Sequence, residues 1–106
     1  MNYDKEIVRQ YGEEYIFRQL AEEASELCQA SLKMVRRMNN ETPVSWSEAQ
    51  NHVLEEIADI EVMLHIVKDS VLNDDANKKI TAIYRKKFDR MVDRMIEGEC
   101  LDSNGK

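Results

Sequence analysis

A single proline and three glycines are all that interrupt the 106 residues. With so few breakers the chain must run in long uninterrupted segments, and collagen-like or low-complexity composition is excluded. No apolar run approaches the ~20 residues needed to cross a bilayer. The opening stretch, MNYDKEIVRQ, has neither the basic nor the apolar part of a secretory signal. A cytoplasmic protein without membrane contact is therefore expected. Cysteine is scarce as well: Cys28 and Cys100 form no C-x-x-C, which argues against a paired-cysteine zinc or redox site and leaves two ordinary thiols. There is no G-x-S-x-G elbow and no glycine-rich phosphate loop. The two histidines, His52 and His65, follow Ala49 and Val62 at the i+3 spacing, so neither completes the Glu-x-x-His pair of a di-iron bundle. Both are expected at the surface or its boundary.

Positive charge is also in deficit, with 15 Lys or Arg against 21 Asp or Glu and a net charge of −6. That balance argues against a nucleic-acid polymer as partner. The charge is unevenly spread. Between Lys78 and Arg94 seven Lys or Arg face two acids, a local net charge of +5 that leaves −11 for the remainder. Most of these residues suit a solvated helix face with i,i+3 and i,i+4 pairs.

What is present is a composition of 42% hydrophobic and 34% charged residues, enough for one soluble domain with a modest core. The domain is expected over residues 1–98, followed by a polar, disordered tail at 99–106. Apolar periodicity gives four helical stretches and no strand, hence an all-α, four-helix bundle-like fold of long antiparallel helices. The first helix is expected from Tyr3 to Tyr11, ending at Gly12. The second runs from Glu13 to Met38 with Ile16, Leu20, Leu27, Ala30 and Met34 on one stripe. Pro43 then breaks the chain, and Ser45 with Glu48 can form a capping box. The third helix carries Val53, Ile57, Ile60, Leu64 and Val67 to about Lys68. The fourth spans about Asp75 to Glu97, with Ile80, Ile83, Tyr84, Phe88, Met91 and Met95, and stops at Gly98.

Two acid clusters, EEASEL at 22–27 and EEIADI at 55–60, sit inside these helices. Glu23 lies three residues after Leu20 and four before Leu27, so it points into the apolar stripe. Glu26 is about 60° further round the same helix. Glu56-x-x-Asp59 repeats the arrangement, with Glu56 between Val53 and Ile60. On antiparallel helices the four carboxylates can converge, and their repulsion then requires compensation. A hard divalent cation such as Mg2+, with Mn2+ as a substitute, takes oxygen ligands and leaves positions for water and phosphate. Glu22 and Glu55 are expected to be solvent-exposed partners of nearby cations.

Glu23-x-x-Glu26 and Glu56-x-x-Asp59, in the settings LAEEASELCQASLK and VLEEIADIEVMLHIV, resemble the MazG-like all-α nucleoside triphosphate pyrophosphohydrolases over about residues 15–97. The 29 residues between Glu26 and Glu56 make a long spacer for that family, with the extra length in the Asn39–Trp46 loop. The C-terminal KKFDRMVDRMIEGE looks like the basic last helix of its small, phage-type members. The resemblance implies a nucleoside triphosphate substrate cleaved between the α and β phosphates to a monophosphate and pyrophosphate. It also implies a homodimer or homotetramer, with Glu23, Glu26, Glu56 and Asp59 as metal ligands and catalytic groups. Lys87 and Arg90, three apart on the fourth helix, and Lys33, seven residues after Glu26, are candidates to hold phosphate. The competing expectation is a non-catalytic helical interaction module that docks an acidic partner on its basic C-terminal helix.

Overall fold

A computed structural model of the chain describes residues 3–98. The expected tail at 99–106, with Cys100, lies outside the described residues. All regular structure among the described residues is helical, in the order α1 (Tyr3–Tyr11), α2 (Glu13–Met38), α3 (Trp46–Ile66), a π-helical turn (Val67–Val71) and α4 (Asp74–Glu97). No described helix is long and apolar enough to cross a membrane. The chain divides after Leu72 into two compact units.

The helices of the first unit begin and end where local chemistry demands. Gly12 separates α1 from α2 at φ +88°, a conformation that any side chain would strain. Its N–H still donates to the Val8 carbonyl at 2.8 Å. Past Met38, Asn40 takes the left-handed region at φ 56°, which asparagine tolerates better than most residues. Ser45, in extended conformation, accepts the Glu48 N–H at 3.1 Å and caps α3. The Glu48 carboxylate lies 3.9 Å from Lys33 Nζ on α2.

Antiparallel pairing of α2 and α3 follows from which residues meet. Ile16 packs with Ile66 and Val67, Glu23 meets Glu56 and Asp59, and Lys33 reaches Glu48: as one number rises the other falls. The fully buried Ala30 and Ala49 fall opposite one another in the same register, where small side chains let the backbones approach. At the other end Ile7 and Val8 of α1, with Leu20, Met63, Val71 and Leu72, close over Ile16, Ile66 and Val67.

Two expectations are corrected here. The third helix does not continue as α-helix to Lys68. It widens at Val67–Val71 into a π turn closed by Leu72 N–H to Val67 O at 2.9 Å, a change that apolar periodicity over one turn cannot register. Ile57 and Leu64 are exposed, at 39% and 41%; Val53, Glu56, Ile60, Met63 and Val67 occupy the inward face instead.

The second unit contains α4. Asn73 caps it by accepting the Ala76 N–H at 2.8 Å, Asp74 and Asp75 suit the positive end of its dipole, and Gly98 closes it in the left-handed region at φ 83°. Ile83, Tyr84, Phe88, Met91 and Met95 are exposed, and the Tyr84 and Phe88 rings stack with centroids 6.2 Å apart. Their spacing marks a helix without marking a core.

Ile16, 1% exposed, anchors the α1–α2–α3 core, so Ile16→Ala should cost about 2–5 kcal/mol in urea unfolding. Ile57→Ala should cost less than about 1 kcal/mol. Equal losses for the two would contradict this core.

Candidate metal centre

Glu23 is delivered by α2, and Glu56 and Asp59 by successive turns of α3. One carboxylate oxygen from each falls within 4.8 Å of the others. Glu56 is buried, at 8% exposed, Glu23 is half-buried and Asp59 is open to solvent. The centre thus has a covered side at Glu56 and an open side at Asp59. Of the four expected ligands, Glu26 alone falls outside this set of three. It is exposed, and it bears on the centre through its effect on the Glu23 and Glu56 carboxyls.

The acids carry an electrostatic cost. Burial is the first cause raising the Glu23 carboxyl above its ordinary value, followed by the hydrogen bond with Glu26 and the charges of Glu26, Asp59 and Glu56. Burial also leads for Glu56, raised further by Glu26 and Asp59 and slightly by Glu55, while His52 pulls the other way. Oε1 of Glu23 and Oε1 of Glu56 are buried and accept no hydrogen bond. Buried carboxylate oxygens without a donor are costly, and a cation is the partner that would satisfy both at once. An all-oxygen, anionic donor set suits a hard divalent ion.

His52, expected at the surface or its boundary, has its Nε2 3.5 Å from Glu56 Oε2. The i,i+4 spacing of His52 and Glu56 on α3 could have signalled the contact. His52 also borders an open cleft of about 460 Å³, lined with it by Lys33, Ser45, Ser47, Glu48, Asn51 and Glu55. Lys33, a candidate phosphate holder, therefore lines a cleft one side chain removed from Glu56, with Glu48 as its ion-pair partner. Glu55 is exposed, as expected, and so is Glu22, which accepts from Gln19 Nε2 at 3.2 Å. Lys87 and Arg90 are exposed on α4, where Arg90 lines a groove with Lys86, Asp89 and Asp93.

A folded-state carboxyl raised above its unfolded value binds protons more tightly in the native state. Its contribution is fully present below the ordinary glutamate value of 4.5 and is lost as pH rises through the raised one. Metal-free protein should therefore melt higher in Glu23→Gln and Glu56→Gln than in wild type at neutral pH. The advantage should shrink as pH falls towards the ordinary glutamate range. Thermal melts in chelator across that range check the sign; a variant no more stable than wild type at neutral pH would mean the carboxylates do not strain the fold.

No protein-family model, curated protein or solved structure matches this chain, so the functional reading stands on the geometry of the centre.

Proposed function

We propose that this chain is a MazG-like, Mg2+-dependent nucleoside triphosphate pyrophosphohydrolase that releases nucleoside monophosphate and pyrophosphate. The observation that carries the reading is the convergence of Glu23, Glu56 and Asp59 from two antiparallel helices, with two buried carboxylate oxygens left without a donor. These residues fall on the E-x-x-E and E-x-x-D positions on which the family resemblance rests. Mg2+ bound there supplies charge compensation for the triphosphate and lowers the pKa of an attacking water.

The chain's own groups divide the remaining work. Glu56, fixed by burial and with His52 alongside, is a rigid ligand. Asp59, exposed, faces the side from which substrate arrives. Glu26, one turn after Glu23 on α2, serves either as a further ligand or as the acceptor of the water's proton. Lys33 lines the neighbouring cleft and offers a positive charge to a phosphate once its distant pairing with Glu48 is exchanged. Lys87 and Arg90, exposed on α4 of the second unit, are proposed separately as phosphate holders. Assembly as a homodimer or homotetramer belongs to the same proposal, supported by exposed apolar residues on each unit, among them Leu32, Leu54 and Val62 on the first and Phe88 and Ile96 on the second.

Phosphorus NMR of a panel of ordinary and modified nucleoside triphosphates, with and without Mg2+, tests the reaction. Pyrophosphate should appear only with the metal, and Glu56→Gln should abolish it while helicity persists. Orthophosphate as first product, or full turnover by Glu56→Gln, would overturn the reading, and unchanged substrate throughout would favour a binding module.

Lys33→Ala, Lys87→Ala and Arg90→Ala separate clamp from surface. Loss of a phosphate contact should lower kcat/KM about tenfold, ~1.4 kcal/mol, with a larger effect at low salt. An exposed pair alone is worth at most ~1 kcal/mol of stability and nothing in turnover. Rates within twofold of wild type for all three would end the clamp.

A further inference from the structure

A second cluster of donors lies outside the acid centre and has no role in the proposed reaction. Asp4 on α1, His65 near the end of α3 and Asp69 in the π turn each place one ligand atom within 4.8 Å of the other two. His65 Nε2 is 2.6 Å from Asp4 Oδ2. The Asp4 carboxylate is largely covered, with 22% of its side chain exposed, while His65 is 64% exposed. The set thus has one inner wall and an open mouth.

We propose that Asp4, His65 and Asp69 form a second metal site, taking a borderline divalent transition metal such as Zn2+ and tying α1 to the end of α3. Three features carry this. The imidazole makes the donor set chemically different from a cluster of acids: one nitrogen and two carboxylates suit Zn2+, Co2+ or Ni2+, whereas Mg2+ prefers oxygen and water. The donors come from three different elements, so a bound ion would cross-link them as no helix-local pair does. Asp69 is carried by the π turn, the one non-α helical element described, and such wide turns recur at functional sites. Around zinc at about 2.0–2.2 Å the donor atoms would sit roughly 3.3–3.5 Å apart. Binding would have to close the wider spacing, up to 4.8 Å, and open the Asp4–His65 contact of 2.6 Å. The His65–Asp4 pair by itself, with His65 largely exposed, is worth ~1 kcal/mol or less.

The test is calorimetric titration of the full chain with Zn2+ alone, in a Glu56→Gln/Asp59→Asn background that removes the acid centre, and in wild type saturated with Mg2+. One equivalent of zinc should bind in both. His65→Ala and Asp69→Asn, each added to the background, should weaken it at least about tenfold. Zinc should raise the melting temperature of the background chain and not that of its His65→Ala derivative, a difference that reports cross-linking of α1 directly. Because both variants change exposed side chains, circular dichroism should show unaltered helicity. Absence of zinc binding in the background, or binding and stabilisation that survive His65→Ala, would overturn the site. Neither result bears on pyrophosphate release, which the acid-centre variants test separately.

Discussion

The mutual repulsion of carboxylates held between α2 and α3 is the constraint around which the first unit is arranged. The inward face of α2 steps from Ile16 through Leu20, Glu23 and Leu27 to Ala30, and that of α3 from Ala49 through Val53, Glu56, Ile60 and Met63 to Val67. Spacings of three and four alternate along both, as in a coiled-coil seam. Each seam gives one position to a glutamate, and the two glutamates meet. The pairing must therefore be held from either side of the acid layer. On one side Ile16, Ile66 and Val67 supply apolar burial; on the other, buried Ala30 and Ala49 bring the backbones close. Compressing like charges in this way stores unfavourable energy in the metal-free chain, which a bound cation would release. A site held ready before its ligand arrives binds without reorganising the helices.

The helix boundaries other than the end of α3 were legible because each is set by a local device. Gly12, Asn39 and Asn40, Ser45 and Gly98 act through their own backbone or side chain, and local sequence contains that information. The acid centre was legible for a related reason: identical i,i+3 acid spacing on two helices implies a shared face whatever the tertiary detail. The inward face of α3 was harder. Choosing the most apolar periodic set selects Ile57 and Leu64, yet burial of Glu56 rotates the helix so that these two face outward and Met63 turns in. A stripe centred on the aliphatic residues takes in Ile57 and Leu64 even with Glu56 set between Val53 and Ile60, and the true face is turned away from those two. The same seam spacing, counted with Glu56 inside, gives the observed face.

The contact of α1 with the end of α3 was not legible at all. Asp4 and His65 are joined only because α1 folds back over the end of α3, and no periodicity within either helix reports that. The π turn is equally silent, since Val67–Val71 reads as one more turn of an apolar stripe. His52 lies between these cases. Its relation to Glu56 is local, at i,i+4 on one helix, but a search confined to Glu-x-x-His spacing passes over it. Electrostatic contact at 3.5 Å needs only a shared helix face, whereas metal ligation demands a stricter spacing.

The two candidate metal sites are distinguished by chemistry and by what separates them. Asp59 and His65 are six residues apart on α3, about 9 Å along its axis, and Met63 between them belongs to the apolar cluster around Ile16. Their donors differ in kind: three carboxylates in one, two carboxylates and an imidazole in the other. A chain offering both would sort hard from borderline cations by ligand type, where affinity alone would send the transition metal to each. The acid layer lies within the α2–α3 seam and acts on its packing directly. The histidine cluster lies at its end and acts through α1, whose Ile7 and Val8 cover Ile16. Tying α1 down would therefore tighten the apolar clamp on one side of the acid layer, and the second metal would make the first site more rigid without contacting it.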